Sequence, residues 1–359
     1  MRPLTDPLEE KVAQKNSAAP YVCTVVLNWN GKSDTIECLR SLQGITCPNH
    51  TVLVVDNNSS DGSATAITEL FPEIPLIKTN KNLGFAGGNN VGIRRALDMG
   101  VEFIFLLNND TTVAPDLITQ FVEAATNFPS AGILGPKIYY YSDPRRLWSA
   151  GGRWLPDRQH FDQRGDGEID QGQYDGIAPS DFTVGCAMFI RRQVFEKVGL
   201  LDEEYFLNYE EIDFSTRARR VGFTDLYVPK ARVWHKVSVS FGGEDSPLKT
   251  YFTFRNRLLW AHKRLPIPRR LILHWSIYRR AFERFLSPTI SAIPQGPRKA
   301  LWALRGSISS PLNRAWLMGI RDYWKKSFGE CPDDVWKLQR RWKEMRGQAG
   351  TKKSSAPSP

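Results

Sequence analysis

The chain has 359 residues, 41% hydrophobic and 24% charged, the composition of a globular protein of one large or two ordinary domains, which excludes a disordered or fibrous molecule. No apolar run approaches the roughly 18 residues that a bilayer-spanning helix needs. The formal net charge of +10 points to an anionic partner, whether nucleic acid, lipid headgroup or phosphorylated ligand.

The first twenty residues, MRPLTDPLEEKVAQKNSAAP, mix charge with proline and have no apolar centre, so they read as a flexible leader and not as a signal peptide. From Tyr21 strands and helices alternate. YVCTVVLNWNG is a β-branched run ending in Asn28-Trp29-Asn30, followed by a helical pattern over Asp34 to Leu42. HTVLVVDNNSSDGS is a second apolar strand closing on Asp56, then come the helical ATAITELF and a short strand PLIKTN. A glycine-rich loop, NKNLGFAGGNNVGI, opens the next helix, and VEFIFLL runs into Asn108-Asn109-Asp110. The following helix, PDLITQFVEAATNF, is expected to open at Pro115. Fully apolar strands alternating with helices indicate an α/β fold whose mostly parallel central sheet is flanked by helices. Ligands bind such sheets beyond the carboxyl ends of the strands, and all three Asn/Asp clusters are expected on that rim.

Past Gly132 the alternation decays. GILGPKIYYY reads as a strand, residues 156–181 as a polar surface excursion, and FTVGCAMFIRRQVFEKVG as a strand with a helix. EEIDFSTRARRVG is an amphipathic helix and TDLYVPKARVWH a strand ending at His235, before a Ser/Gly loop. From Tyr251 to about Met345 the chain is helical in pattern and rich in Trp, Arg and Leu, and residues 346–359 read as a disordered tail. Five scattered cysteines with no CxxC pair argue against a disulfide framework or a zinc site.

Four groups could carry chemistry. The glycines Gly84, Gly87, Gly88 and Gly92 could bring backbone amides near a phosphate, although their spacing is not the dinucleotide fingerprint. Asp56 and Asp110 could each cap a helix, or hold a divalent cation and a nucleoside. Glu210, Glu211 and Asp213 crowd the start of a helix, where they could complement its dipole or supply a general base. His235 could be a core residue, a metal ligand or a phosphate contact.

Together these segments resemble the inverting family 2 glycosyltransferases of GT-A fold, in particular the bacterial rhamnosyltransferase-like branch. The resemblance covers roughly Tyr21 to Asn256 and rests on VVLNWNG, VLVVDNNSSDGS, NLGFAGGNNVGI, LLNNDT, VGCAMFIRR, FLNYEEIDFSTRARRVGF and VWHKVSVS in that order. It implies a Rossmann-like GT-A domain over residues 21–250, with a nucleotide-binding half at about 21–130 and an acceptor half at about 131–250. Asn28, Trp29, Asn30, Asp56, Asn89, Asn90 and Asn109 would face the nucleotide, Asp56 taking the base. The family's DxD motif falls on Asn108-Asn109-Asp110, which departs from it at the first aspartate and leaves Asp110 as the principal ligand for Mg²⁺ or Mn²⁺, with His235 completing the site. The family's acid pair falls on Glu210-Glu211, making Glu211 the catalytic base and Glu210 its competitor. The implied reaction moves a sugar, rhamnose first, from dTDP-rhamnose or a UDP-hexose to a hydroxyl of a glycan or polyprenyl-linked acceptor, in cell-surface polysaccharide assembly.

Between His262 and Phe282 lie six Lys or Arg and no Asp or Glu, interleaved with apolar residues. The segment reads as an ordinary helical subdomain or as a basic amphipathic helix on an anionic membrane, which would make the protein peripheral on the inner face of the plasma membrane. No nucleic-acid module accompanies the charge. YFTFRNRLLW, Tyr251 to Trp260, is expected to face the acceptor. A sugar nucleotidyltransferase on a similar sheet, or a glycan- or lipid-binding protein without activity, are the competing readings.

Overall fold

A computed structural model describes residues 19–237 and 246–354; the expected leader up to residue 18, most of the Ser/Gly loop after His235 and residues 355–359 lie outside the described residues. In chain order the elements are β1 (Val22–Asn28), α1 (Lys32–Gln43), β2 (His50–Asp56), α2 (Ser63–Leu70), β3 (Leu76–Lys78), α3 (Gly84–Asp98), β4 (Phe103–Asn108), β5 (Thr111–Val113), α4 (Leu117–Asn127), β6 (Ala131–Tyr140) and β7 (Asp143–Ser149). There follow β8 (Gly152–Leu155), β9 (His160–Gln163), β10 (Ala178–Ser180), β11 (Ala187–Arg191), α5 (Arg192–Val198), α6 (Glu210–Arg220) and β12 (Thr224–His235). The remainder is helical: α7 (Pro247–Arg264), α8 (Ile267–Phe285), α9 (Ser287–Ala292), α10 (Pro297–Ser309), α11 (Pro311–Trp324) and α12 (Asp333–Ser354).

The main sheet runs β10-β12-β6-β11-β4-β1-β2-β3, with β5 added beside β12 and β7 beside β6. β1, β2, β3 and β4 are mutually parallel, whereas β11 runs antiparallel to both β4 and β6. Alternate residues of β1 feed two cores. Val22 and Val26 pack with Leu39 of α1 and Phe121 of α4, while Cys23 and Val25 pack with Ile93 of α3 and Phe214 of α6. The two-residue period of a strand therefore buries both faces, which is why the run carries no polar alternation. Truncating Phe121, stacked on Phe189 at 4.9 Å, to alanine would cost about 3–5 kcal/mol.

Helix α4 starts at Leu117 behind Asp116, so Pro115 precedes the helix instead of opening it. Residues 156–181 are more ordered than an excursion: β8 and β9 form a hairpin, and β10 joins the main sheet against β12. Helix α12 continues to Ser354, past the expected boundary at 346. The five cysteines are all free.

Candidate active site

Strand register sets the rim. Asn28 lies opposite Asp56, and Leu27 opposite Asn108, so the polar ends of β1, β2 and β4 emerge side by side. Asn28 knots them together. Its amide nitrogen donates to Asp56 Oδ1 at 2.7 Å and Ser63 Oγ at 2.8 Å, and its oxygen accepts from Thr35 Oγ1 at 2.8 Å and Asn109 Nδ2 at 3.2 Å. Asp56 spends its second oxygen on the Ser59 amide, 3.1 Å away, and is almost fully buried. These polar side chains are satisfied by one another, which is how the fold tolerates them at the end of a buried strand.

His235 reaches the same rim from β12. β5 pairs antiparallel with the end of that strand, setting His235 opposite Thr111, the residue after Asp110. Asp110 Oδ1 is 3.1 Å from His235 Nε2, with both side chains buried, and the edge of Trp148 packs on the imidazole at 4.5 Å. Burial pushes the Asp110 carboxyl up, but the imidazole charge and hydrogen bond and the nearby Lys236 ammonium outweigh it and hold the group below the usual range. His235 Nδ1 is buried without a hydrogen-bond partner among the described residues.

Two cavities meet at Asp110. The smaller is walled by Trp29, Asn57, Asn109 and Trp336. The larger holds Glu210, Glu211, His235, Trp148 and Lys249. Phe85, Asn108, Asp110 and Leu207 belong to both walls. Trp29 and Trp336 lie 5.7 Å apart in the smaller cavity, so α12 returns from the far end of the chain to close it.

Glu210 and Glu211 open α6, and each has one carboxyl oxygen buried without a hydrogen-bond partner among the described residues. Burial drives the Glu211 carboxyl up, with backbone amides at the helix start and the Lys249 charge pulling back, and the group comes to about 7. Glu210 is raised well above the usual carboxylate value by burial and then by the charge of Glu211. Asp213 instead takes part in structure, accepting from Arg217 at 2.7 Å and pairing with Arg264.

The approach to Glu210 is unusual backbone. Phe206, Asn208 and Tyr209 all have positive φ, at 62°, 65° and 76°, without being glycine. Two buried residues of α7 hold this turn. The Asn256 amide donates to the carbonyls of Tyr205, Leu207 and Asn208, each at 2.8 Å, and Arg255 donates to the Tyr205 carbonyl at 3.0 Å and the Gly329 carbonyl at 2.7 Å. Within YFTFRNRLLW, then, Thr253 reaches the larger cavity, with Lys249 one helical turn before it, while Arg255 and Asn256 turn inward.

The glycine segment packs closely on its neighbours and borders the smaller cavity at Gly84 and Phe85. Gly84, at φ 72°, borders the smaller cavity, where a Cβ would lie 2.5 Å from the Phe206 carbonyl oxygen. A Cβ on Gly92 would fall 2.3 Å from Val25, so this glycine lets α3 lie flush on β1. Asn90 bonds the backbone of Leu201 in both directions, at 2.9 and 3.0 Å, and Asn89 donates to the Phe85 carbonyl at 3.0 Å. Neither these two asparagines nor Asn28, Asn30 or Asp56 lines either cavity. Trp29, Asn109, Asp110, His235, Glu210 and Glu211 do. Asn57, Asn82, Trp148, Lys249 and Trp336 join them unforeseen; Asn57 and Asn82 stand in visibly polar turns, whereas no local pattern marks Trp336.

Residues 23–199 match the model of the family described as Glycosyl transferase family 2. The chain carries a family 2 glycosyltransferase domain. Its curated relatives include the N-acetylglucosaminyl-diphospho-decaprenol L-rhamnosyltransferase of Mycobacterium tuberculosis, 29% identical over 53% of this chain and 68% of that one. The dTDP-rhamnosyl transferase RfbF of Shigella flexneri is 26% identical over 59% of this chain and 71% of its own. Among solved structures, the mannosyltransferase PcManGT of Pyrobaculum calidifontis, in complex with GDP-Man and Mn²⁺, matches with a TM-score of 0.50 at 16% identity, covering 94% of this chain and 89% of that one. The family 2 domain accordingly has the GT-A architecture, followed here by a helical C-terminal region.

Proposed function

We propose that the protein transfers rhamnose from a nucleoside-diphosphate donor, dTDP-rhamnose, to a hydroxyl of a polyprenyl-diphosphate-linked glycan, with inversion. The carrying observation is the meeting of two cavities at Asp110, the smaller closed by tryptophans and the larger containing a carboxylate that titrates near neutrality. The names of the two rhamnosyltransferases support the sugar, and the mycobacterial one supports the lipid carrier.

The nucleoside diphosphate occupies the smaller cavity, its base against Trp29 and Trp336 and its phosphates directed toward Asn109 and Asp110. Asp56 acts one layer back, by fixing Asn28 and the turn at Ser59. The acceptor hydroxyl enters the larger cavity. As its oxygen bonds to the anomeric carbon, Glu211 takes the proton and the glycosyl–phosphate bond breaks, the diphosphate leaving with the electron pair. A single displacement inverts the anomeric centre. Glu210, whose carboxyl burial and the Glu211 charge raise well above the usual value, is the competing candidate for the base.

A divalent cation fits between Asp110 and His235. They present a carboxylate and an imidazole, suited to Mg²⁺ or Mn²⁺, and among the described residues no third His, Cys, Asp or Glu joins them, so diphosphate oxygens and water would complete the shell. Bound there, the cation would neutralise charge developing on the leaving diphosphate. Asp110→Ala should weaken Mn²⁺ binding in the presence of dTDP by more than about tenfold by calorimetry, and unchanged affinity would remove Asp110 from the site.

Incubation with dTDP-rhamnose, UDP-hexoses and GDP-mannose, with Mn²⁺ and a polyprenyl-diphosphate acceptor, tests the whole reading. Rhamnosylated lipid and released dTDP are expected. A different preferred sugar would overturn the donor assignment, and a product with retained anomeric configuration would overturn the single displacement.

A further inference from the structure

Among the described residues twenty large hydrophobic side chains are exposed, and ten of them fall between Ile267 and Trp302. Helix α8 accounts for much of this because it is apolar on two faces. Leu273 and Ile277 point inward and join the core beneath α7, while Leu271, Trp275 and Phe282 recur at near-helical spacing on the outside. Trp275 is 68% exposed and Trp302, on α10, 78% exposed. Helices α8, α9 and α10 pack on one another, so their bare apolar residues belong to one subdomain. Soluble proteins seldom leave so much apolar surface uncovered without a partner for it.

Charge selects the partner. Residues 266–310 contain eight Lys or Arg and a single acid, Glu283. A second copy docking through the same face would set like charge against like charge. An anionic bilayer offers the opposite charge, and tryptophan and arginine together suit the depth of the headgroups. No described helix is long and apolar enough to cross a membrane, so the surface would lie on it.

We propose that α8–α10 form a docking face for an anionic lipid surface, which lies behind the acceptor side of the active site. Arg280 of α8 donates to the Arg158 carbonyl at 3.2 Å, and Arg257 of α7 to the Gln159 carbonyl. Both carbonyls lie in the turn of the β8–β9 hairpin, and His160, Phe161 and Gln163 of that hairpin line the larger cavity. The docked face thus brings the acceptor cavity next to the headgroup layer. This placement rests on the larger cavity receiving a lipid-linked acceptor; the docking itself does not.

Flotation separates the two. The full chain is mixed with vesicles of phosphatidylcholine alone, or with about a third of the lipid as phosphatidylglycerol, without donor or acceptor. It should float with the anionic vesicles, lose most of that binding in high salt, and stay behind with the neutral ones. The double variant Trp275→Glu/Trp302→Glu should partition at least about tenfold less while keeping its thermal midpoint and its turnover on a water-soluble acceptor. Absence of flotation, or equal flotation of the variant, overturns the docking face. A parent dimer in light scattering that the double variant dissolves would assign the face to a second copy and overturn it as well. Loss of turnover by the parent on a soluble acceptor would instead count against the catalytic reading and leave the flotation result standing.

Discussion

Glu211 stands where opposing influences nearly cancel. Burial raises its carboxyl, and helix-start amides and Lys249 restrain the rise, leaving it at about 7. In the proposed role of base it works only when ionised, so turnover on saturating donor should climb as pH rises through about 7 and level off above it. In Glu211→Gln that ascending limb should vanish and kcat fall by about 10²–10⁴-fold, while calorimetry finds dTDP binding unchanged. A surviving limb would transfer the role to Glu210. The same shift bears on stability with a definite sign. A carboxyl raised above its unfolded value favours folding below the unfolded value, near 4, and loses that contribution as pH rises through 7. Removing the charge in Glu211→Gln should therefore raise the thermal midpoint at alkaline pH.

At the scale of elements, the turn from Tyr205 to Tyr209 sets the position of both glutamates, and α7 sets the turn. Asn256→Ala would leave three carbonyls without their donor and should destabilise the protein by about 3 kcal/mol, read as a lower thermal midpoint. It should also lower kcat more than it weakens dTDP binding, since the turn leads into both glutamates of the larger cavity but gives the smaller one only Phe206 and Leu207. The parallel strands were legible because both faces of each are buried, which leaves long unbroken apolar runs such as Phe103–Leu107. The ends of β1, β2 and β4 could be placed on one rim for the same reason. The β8–β9 hairpin escaped because its strands are short and polar, with no alternation to mark them. Of the glycines of α3, Gly88 and Gly92 permit close packing on β1, against Leu27 and Val25, while Gly84 borders the smaller cavity, and in sequence the two roles look the same. Asn90 is buried through its bonds to the Leu201 backbone, and Asn89 donates to the Phe85 carbonyl of its own helix.

Over the whole molecule, the smaller cavity joins distant ends of the chain, with Trp29 following β1 and Trp336 arriving from α12. Trp336→Ala should weaken dTDP binding by about 3–10-fold, the worth of one ring contact, with the nucleotide's metal dependence unaltered. Such a contribution from a residue 307 positions further on could not be read from sequence, because the Trp-rich helices repeat no pattern that distinguishes a pocket wall from a core or a bare surface. The C-terminal helices accordingly divide between these tasks, α7 bracing the turn before Glu210 and α12 walling the smaller cavity.

The shared wall of Phe85, Asn108, Asp110 and Leu207 sets the two cavities side by side. With the donor in the smaller and the acceptor in the larger, as proposed, both substrates rest on that wall at once. Initial-rate plots against one substrate at several levels of the other should intersect, as a ternary complex requires, and free dTDP should compete with the donor while inhibiting noncompetitively against the acceptor. Parallel lines would mean that sugar rests on the enzyme between two half-reactions, a covalent route that the geometry around Glu211 does not call for.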